Sequence, residues 1–400
     1  MDFDYQWLLI GLPVAFVLGW LASRFDMRQW RREQQESPQA YFKGLNLLLN
    51  EQQDKAIDAF IEAVQHDPGA SDLHFALGNL FRRRGEYDRA VRVHQHLLSR
   101  ADLPATDRER AQHELAQDFF KAGLFDRAEE AYRQLEGTEY STEARLALLT
   151  LYERSRDWRA AIDMAQKLER TGSHTGSFAP RLAHYWCEIA SDERAQGRLE
   201  DAQKALLRAR EAAPHAARSL VTEGEWKLAS GDAQGAVEAW NRLLVSSPPS
   251  FNLVAREYAR AALDCGPATI AACAVQVAAQ LERGPTSDLI AAMGVLDPDR
   301  AHQSRRLLDW LSHHTSPSGA SSLLQLADAA VAQTTPLASS PETITTGEAH
   351  GAVVRTLEAV GKPLQRYRCA ACGFEAAHYF WQCPGCQSWD TYPPRRLEDL

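Results

Sequence analysis

Cysteine is scarce in this chain of 400 residues, which contains only seven. Three of them, Cys187, Cys265 and Cys273, are scattered through helical patterns, where we expect small buried hydrophobic side chains. No disulfide framework is recognisable, which fits a reducing compartment. Excess positive charge is also lacking, since the net charge is −9. This balance disfavours a general nucleic-acid-binding protein, whose footprint would be basic.

Catalytic signatures are missing as well. No G-x-S-x-G motif, phosphate-binding loop or dinucleotide fingerprint occurs in a plausible strand context. Strand patterns are nearly absent outside the C-terminal segment, which excludes an α/β enzyme core. We expect His94 and His96, and the run Arg82–Arg84, to lie on solvated helix surfaces. The sequence therefore predicts no catalytic residue and a protein that is not an enzyme.

One long uncharged apolar run is present, over residues 5–23. A helix of that length is about 28 Å long, which is enough to span a bilayer core. Acidic residues precede the run and arginines follow it, so the positive-inside rule places the N-terminus outside and the rest in the cytoplasm. A cleaved signal peptide would require a basic start and a small-residue cleavage site, and neither is present. We predict a transmembrane anchor over residues 1–24 and a basic juxtamembrane segment over 25–36.

A repeat of 34 residues follows, the length of a tetratricopeptide repeat. A small residue such as Gly78 allows two helices to approach closely, and a glycine such as Gly85 ends the first helix of a unit. An alanine recurs where the second helix crosses its neighbour, at Ala56, Ala90, Ala128, Ala161, Ala202 and Ala236. Because one unit cannot bury its own apolar face, the units must stack. We predict six tetratricopeptide repeats over residues 37–248.

Repeat signatures fade after these units, although helical patterning continues. We interpret residues 249–333 as degenerate helical repeats. The next segment is rich in Ser, Thr, Pro and Gly, and a helix is predicted near 352–360. We therefore predict a linker with a short helix over residues 334–364.

Two C-x-x-C pairs close the chain: Cys369 with Cys372, and Cys383 with Cys386. Such turns point both sulfurs the same way, so two of them offer four thiolates to one tetrahedral ion. The segment 365–400 is too short to bury a self-sufficient core, so a bound ion would supply folding energy. We predict a rubredoxin-like metal-binding domain over residues 365–400, holding one structural ion, Zn or Fe. Disulfides or unrelated cysteines are the alternative.

Two other roles for this domain find less support in its sequence. Four arginines balance four acidic residues in it, so a nucleic-acid-binding ribbon is disfavoured. Four thiolates also suit iron and electron transfer, but no second redox centre is apparent. A group of aromatic residues is expected to surround the site or to dock it onto the helices: Tyr367, Phe374, Tyr379, Phe380, Trp381, Trp389 and Tyr392.

The combination of anchor, repeats and C-terminal knuckle closely resembles the bacterial lipopolysaccharide assembly protein B family. The resemblance covers nearly the whole chain and is carried by LGNLFRRRGEYDRAVRVHQHLL (77–98), AGLFDRAEEAYRQL (122–135), AHYWCEIA (183–190) and the cysteine-rich stretch 367–394. It implies an all-α tetratricopeptide-repeat solenoid with an N-terminal transmembrane helix and a small rubredoxin-like knuckle. The family's four metal cysteines correspond to Cys369, Cys372, Cys383 and Cys386.

The resemblance also implies a function and partners. It implies a single-pass protein of the Gram-negative inner membrane, with a periplasmic N-terminus and a cytoplasmic body. As an adaptor it would deliver the committed-step deacetylase of lipid A synthesis to a membrane-anchored ATP-dependent zinc protease. The alternative is a non-proteolytic scaffold that gathers lipopolysaccharide synthesis and transport proteins at the membrane. No nucleic-acid partner is expected.

Overall fold

The computed structural model describes Phe16, Trp20, Lys55 and residues 71–172, 177–297, 299–334 and 346–399. The chain divides into two compact units, Met1–Thr175 and Gly176–Leu400. Within the described residues, no helix combines the length and apolarity needed to cross a membrane. The predicted anchor, the juxtamembrane segment and the first repeat lie outside the described residues, apart from the three single positions named above.

The described part of the first unit consists of helices joined by turns. Its helices are α1 (Ser71–Arg83), α2 (Tyr87–Ser99), α3 (Ala105–Lys121), α4 (Phe125–Arg133), α5 (Ser141–Ser155) and α6 (Trp158–Thr171). Gly85 and Gly123, which follow α1 and α3, both have a φ of +77°. Because L side chains resist this conformation, the predicted role of these glycines in ending helices is confirmed.

Helix pairs approach each other through small residues, as the repeat pattern predicts. Ala90, Ala128 and Ala161 are completely buried. A Cβ atom added to Gly78 would collide with the ring of His94, and one added to Gly224 would collide with the indole of Trp240. The small residue therefore leaves room for a large side chain from the second helix of the same unit.

Two residues expected on solvated surface are withdrawn from it: His94 is buried and Arg82 is half-buried. His94 and Asp118 are both fully buried, with His94 Nδ1 2.5 Å from Asp118 Oδ2. The Arg82 guanidinium donates to Asp118 Oδ1 at 2.9 Å and pairs with Glu114 at 2.5 Å. The surface prediction was wrong for Arg82 and His94, because the buried Asp118 carboxylate requires donors from neighbouring helices. His96 is exposed, as expected.

The second unit begins with repeat helices and continues into less regular ones. Its helices are α7 (Ala179–Ala195), α8 (Leu199–Ala212), α9 (Ala217–Ala229), α10 (Ala233–Ser246), α11 (Ala255–Cys265), α12 (Pro267–Arg283), α13 (Ser287–Leu296), α14 (Arg300–His313), α15 (Pro317–Thr334) and α16 (Thr346–Gly361). A continuous core extends from α9 through α13, with Trp240, Phe251 and Tyr258 completely buried. Helix α16 includes the helix predicted near 352–360 and begins earlier than expected.

The C-terminal segment contains the two strands found among the described residues. Strand β1 (Tyr367–Arg368) pairs antiparallel with β2 (Glu375–Ala376). A second hairpin is closed by an isolated antiparallel bridge between Gln382 and Trp389. A short 3-10 helix, Leu397–Asp399, follows. The protein is thus a mostly helical tetratricopeptide-repeat fold with a small C-terminal knuckle.

Candidate metal centre

Two hairpins position the four cysteines and share one backbone pattern. In each, the amide of the first cysteine donates to the carbonyl five residues later, at 2.9 Å. The amide four residues later, from Gly373 in one hairpin and Gln387 in the other, donates back to the carbonyl of that cysteine at 2.9 and 2.8 Å. Gly373 and Gln387 have φ values of +77° and +60°. These left-handed residues close the turns that hold each pair of thiols.

The sulfur atoms form a compact cluster. All four thiols lie within 4.8 Å of one another. Cys369 Sγ is 3.8 Å from Cys386 Sγ, and Cys372 Sγ is 3.6 Å from Cys383 Sγ. A tetrahedral ion bound at a Zn–S distance of about 2.3 Å would separate its sulfurs by about 3.8 Å. The residues therefore fit one tetrahedral ion with four thiolate ligands.

The electrostatics of the cluster also favour a cation. Burial opposes ionisation of Cys369, but hydrogen bonds from Thr391 and from the Cys372 and Ala371 amides outweigh it and lower the pKa of Cys369 to about 6. For Cys372, an amide hydrogen bond from Phe374 favours the thiolate, but partial desolvation and the hydrogen bonds with the neighbouring thiols outweigh it and raise the pKa. Thiolates this close repel one another, so they need a positive ion among them to ionise together.

An aromatic shell encloses the buried side of the cluster. Tyr367 and Tyr392 are 6% and 2% exposed and pack with the buried sulfurs. Tyr379 makes edge-to-face contacts with Tyr367 and Trp381, with ring centroids 5.5 and 5.0 Å apart. The Tyr379 hydroxyl donates to the carbonyl of Tyr392 at 3.1 Å. The shell excludes water from one side of the site and fixes the second hairpin against the first.

Residues of the second hairpin fasten the metal-binding domain to helix α7. The Trp389 indole stacks on the ring of His184, with centroids 4.7 Å apart and planes inclined by 19°. His184 Nε2 lies 2.8 Å from Asp390 Oδ2, within hydrogen-bonding distance. Tyr185 contacts the same indole edge-on at 6.0 Å. One apolar stacking contact and one polar contact thus fix the hairpin on a repeat helix.

The residues after the hairpins fasten the domain to helices α13 and α15. Arg396 donates to Asp288 Oδ2 at 2.8 Å. The Asp399 carboxylate accepts from the Ser287 amide at 2.8 Å and from the Ser287 hydroxyl at 2.9 Å. The Ser318 hydroxyl lies 2.7 Å from an oxygen of Glu398. The carboxylates of Asp399 and Glu398 therefore satisfy donors at the N-terminal ends of α13 and α15, where the helix dipole favours negative charge.

Family models match both parts of the chain. Residues 367–394 match a rubredoxin metal binding domain. Residues 73–109, 113–174 and 187–251 match tetratricopeptide repeats. Together with the thiol geometry, these matches establish a metal-binding domain for one structural ion at the end of a repeat protein.

Relatives align along almost the whole chain. The lipopolysaccharide assembly protein B of Escherichia coli K12 is 30% identical over 395 residues, covering 97% of this chain and 98% of the relative. The chain belongs to the lipopolysaccharide assembly protein B family. The family member from Haemophilus influenzae is 24% identical and covers 97% of each chain. A crystal structure of a tetratricopeptide repeat protein from Parabacteroides merdae is 16% identical, covers 66% of this chain and 99% of its own, and has a TM-score of 0.33, too low to support a structural conclusion.

The structure brings all four predicted cysteines of this family member together. Of the predicted aromatic residues, Trp389 docks the domain, whereas Phe374 and Phe380 are 43% and 38% exposed. Sequence reasoning missed the residues that dock the domain on the helices, such as His184 and Asp390. These two are separated by 206 positions, and neither has a local sequence signal that would pair them.

Proposed function

We propose that this chain is an inner-membrane adaptor that regulates lipopolysaccharide synthesis, delivering the committed-step deacetylase of lipid A synthesis to a membrane-bound ATP-dependent zinc protease. The observation that carries the proposal is the 30% identity over 97% of the chain to a protein named for lipopolysaccharide assembly. That name supports a role of this chain in lipopolysaccharide assembly. The delivery mechanism is the more specific part of the proposal.

The fold supports a role in binding proteins rather than in catalysis. Stacked tetratricopeptide helices hold segments of partner proteins without making or breaking a bond. We propose that Cys369, Cys372, Cys383 and Cys386 are the ligands of the metal ion. Four thiolate ligands would leave no open position for a substrate, which is typical of a structural site. The ion would fold the knuckle, and the knuckle would brace α7, α13 and α15.

The predicted anchor over residues 1–24, which contains the apolar run 5–23, supports a tethering mechanism. We propose that it spans the inner membrane with the N-terminus in the periplasm and the repeats in the cytoplasm. An adaptor and a protease held in the same membrane meet at a raised effective concentration, so a captured deacetylase would be cleaved faster. We also propose the domain limits given above: repeats over 37–248, degenerate repeats over 249–333, a linker with a helix over 334–364, and the metal-binding domain over 365–400.

Depletion of the protein tests the proposal. The adaptor model predicts a longer half-life of the deacetylase after protein synthesis is blocked, measured by immunoblotting. Restoring the wild-type chain should return the half-life to its original value, and a chain lacking residues 1–23 should not. A scaffold without a proteolytic role predicts the same half-life with and without the protein, and that result would refute the adaptor model.

A further inference from the structure

A cluster of basic and apolar side chains lies on helices α7 to α10 of the second unit. We call it the basic groove and define it by Arg194, Leu199, Leu207, Arg210, Lys227 and Arg242. Two clefts, of about 340 and 680 Å³, meet at Leu207 and Arg210, which line both of them. The metal centre contributes no residue to its lining.

The charges of the basic groove are incompletely balanced. Arg210, Lys227 and Arg242 all converge on the single carboxylate of Glu223, at 3.1, 3.4 and 2.8 Å. Counting every residue that lines the clefts, four basic side chains face two acidic ones. One carboxylate cannot neutralise three cations, so the groove keeps an excess of positive charge in a chain whose net charge is −9.

Large apolar side chains stand beside these cations and are open to solvent. Leu199 and Leu207 are 60% and 51% exposed, and Val245, at the edge of the larger cleft, is 86% exposed. Isolated exposed leucines are common on protein surfaces, but here they alternate with arginines around a depression. A partner that covers them would gain apolar burial as well as ion pairs.

Aromatic rings hold one of the arginines in place before any partner binds. The Arg194 guanidinium lies 4.6 Å from the centre of the Trp226 ring. Elsewhere on α8, Arg208 lies 4.8 Å from the centre of the Trp186 ring in the same way. A guanidinium stacked on a ring keeps its donors free at the edge, so it can bind a carboxylate at a low entropic cost.

We propose that the basic groove binds an acidic, amphipathic segment of the deacetylase that this chain delivers. The inference rests on the proposed function, because it assigns the segment to that partner. Glutamate or aspartate side chains of the segment pair with Arg194, Arg210 and Arg242, and its apolar side chains cover Leu199 and Leu207. A depression between helices fits a segment of a protein better than it fits the flat surface of a membrane.

Binding of purified deacetylase to the full-length chain in nanodiscs of zwitterionic lipid tests this proposal. We expect Arg210→Glu/Arg242→Glu to weaken binding by about tenfold or more, because it places like charges opposite the acidic segment. Raising the salt concentration should weaken binding to the wild type and have less effect on the variant. Leu199→Ser/Leu207→Ser, which leaves the charges intact, should weaken binding by about tenfold.

A matched control variant changes the net charge by the same amount as Arg210→Glu/Arg242→Glu, but outside the basic groove. Arg260 and Arg283 are exposed on α11 and α12, and neither lines the basic groove. Arg260→Glu/Arg283→Glu should bind the deacetylase like the wild type. Circular dichroism should show the same helix content in every variant, and the leucine variant keeps the test valid if the charge reversal disturbs folding.

The outcomes separate the two proposals. If the wild-type chain does not bind the deacetylase, the proposed function fails. If the wild type binds and both groove variants bind equally well, the inference about the groove is overturned while the proposed function stands. Protection of residues 199–210 from hydrogen exchange by anionic nanodiscs alone, without deacetylase, would overturn the inference by showing that the groove binds lipid.

Discussion

Asp399 offers a direct test of how the metal-binding domain is fastened to the helices. Its carboxylate accepts two hydrogen bonds from Ser287, at 2.8 and 2.9 Å, at the first residue of α13. The Ser287 amide has no partner within the helix, because the first amides of a helix point out of its end. Asp399→Ala removes the acceptor and leaves this amide unpaired in a partly buried place.

The geometry sets the size of the expected effect. Hydrogen bonds to a charged acceptor contribute about 1.5–3 kcal/mol each, and loss of a helix cap costs about 0.5–2 kcal/mol. Burial of the charged carboxylate offsets part of this stabilisation, because it raises the pKa of Asp399 despite the two hydrogen bonds from Ser287. We therefore expect Asp399→Ala to lower the free energy of unfolding by about 2 kcal/mol, or Tm by about 4–8 °C for a unit of this size.

Asp399→Asn is the matched control. The asparagine amide can accept from the Ser287 amide and donate to its hydroxyl, so both contacts survive without the charge. The raised pKa means that the folded state holds this proton more tightly than the unfolded chain does. The associated stability is present below the ordinary carboxyl pKa of about 4 and is lost as the pH rises through the folded-state pKa. The asparagine variant should therefore gain stability relative to the wild type as the pH rises above the ordinary carboxyl pKa.

Calorimetry of the metal-loaded full chain would measure these differences, and hydrogen exchange at the Ser287 amide would locate them. Asp399→Ala should accelerate exchange at this amide, whereas Asp399→Asn should not. Equal Tm values for the wild type and both variants, with unchanged exchange at Ser287, would show that the carboxylate does not fasten the domain to α13.

Three further experiments test the metal centre and the buried network. Cys383→Ser should abolish stoichiometric metal binding and increase hydrogen exchange throughout residues 365–400. The control Cys265→Ser should keep the ion. Metal analysis that finds full occupancy in both variants would contradict the four-thiolate site. Gln387→Gly should raise the free energy of unfolding of the loaded protein by about 0.5–1 kcal/mol, because glycine adopts a positive φ without strain; a decrease would argue against that backbone conformation. Asp118→Ala should cost about 3–5 kcal/mol in chemical denaturation, because it leaves buried donors unpaired; a loss below about 1 kcal/mol would show that the network is not needed.

Local sequence signals predicted the repeats and the cysteine cluster. Residues equivalent to Gly78 and Ala90 occur in successive units because the two helices of one unit must touch. The two C-x-x-C turns each form from a few adjacent residues. The contacts that sequence reasoning missed join distant parts of the chain, such as Asp399 and Ser287, which are 112 positions apart. A repeating sequence pattern does not indicate which distant residues pair in this way.

The lack of a local signal for long-range contacts also explains the wrong surface prediction for His94 on α2. The spacing of His94 and His96 argued against a joint site, because side chains two residues apart point to different sides of a helix, but it did not indicate that one of them points inward. His94 points inward because Gly78 leaves space for its ring and Asp118 pairs with it. Only the packing of α1 and α3 around α2 reveals that environment.

The four sulfurs differ in their access to solvent. Cys369 and Cys383, the first cysteine of each hairpin, are 1% and 0% exposed, whereas Cys372 is open and Cys386 half-open. A chelator or an oxidant would therefore reach only the second sulfur of each pair. An ion held by the four sulfurs would exchange by release from these two outer sulfurs first, so brief exposure to a chelator would be reversible as long as the aromatic shell stays closed.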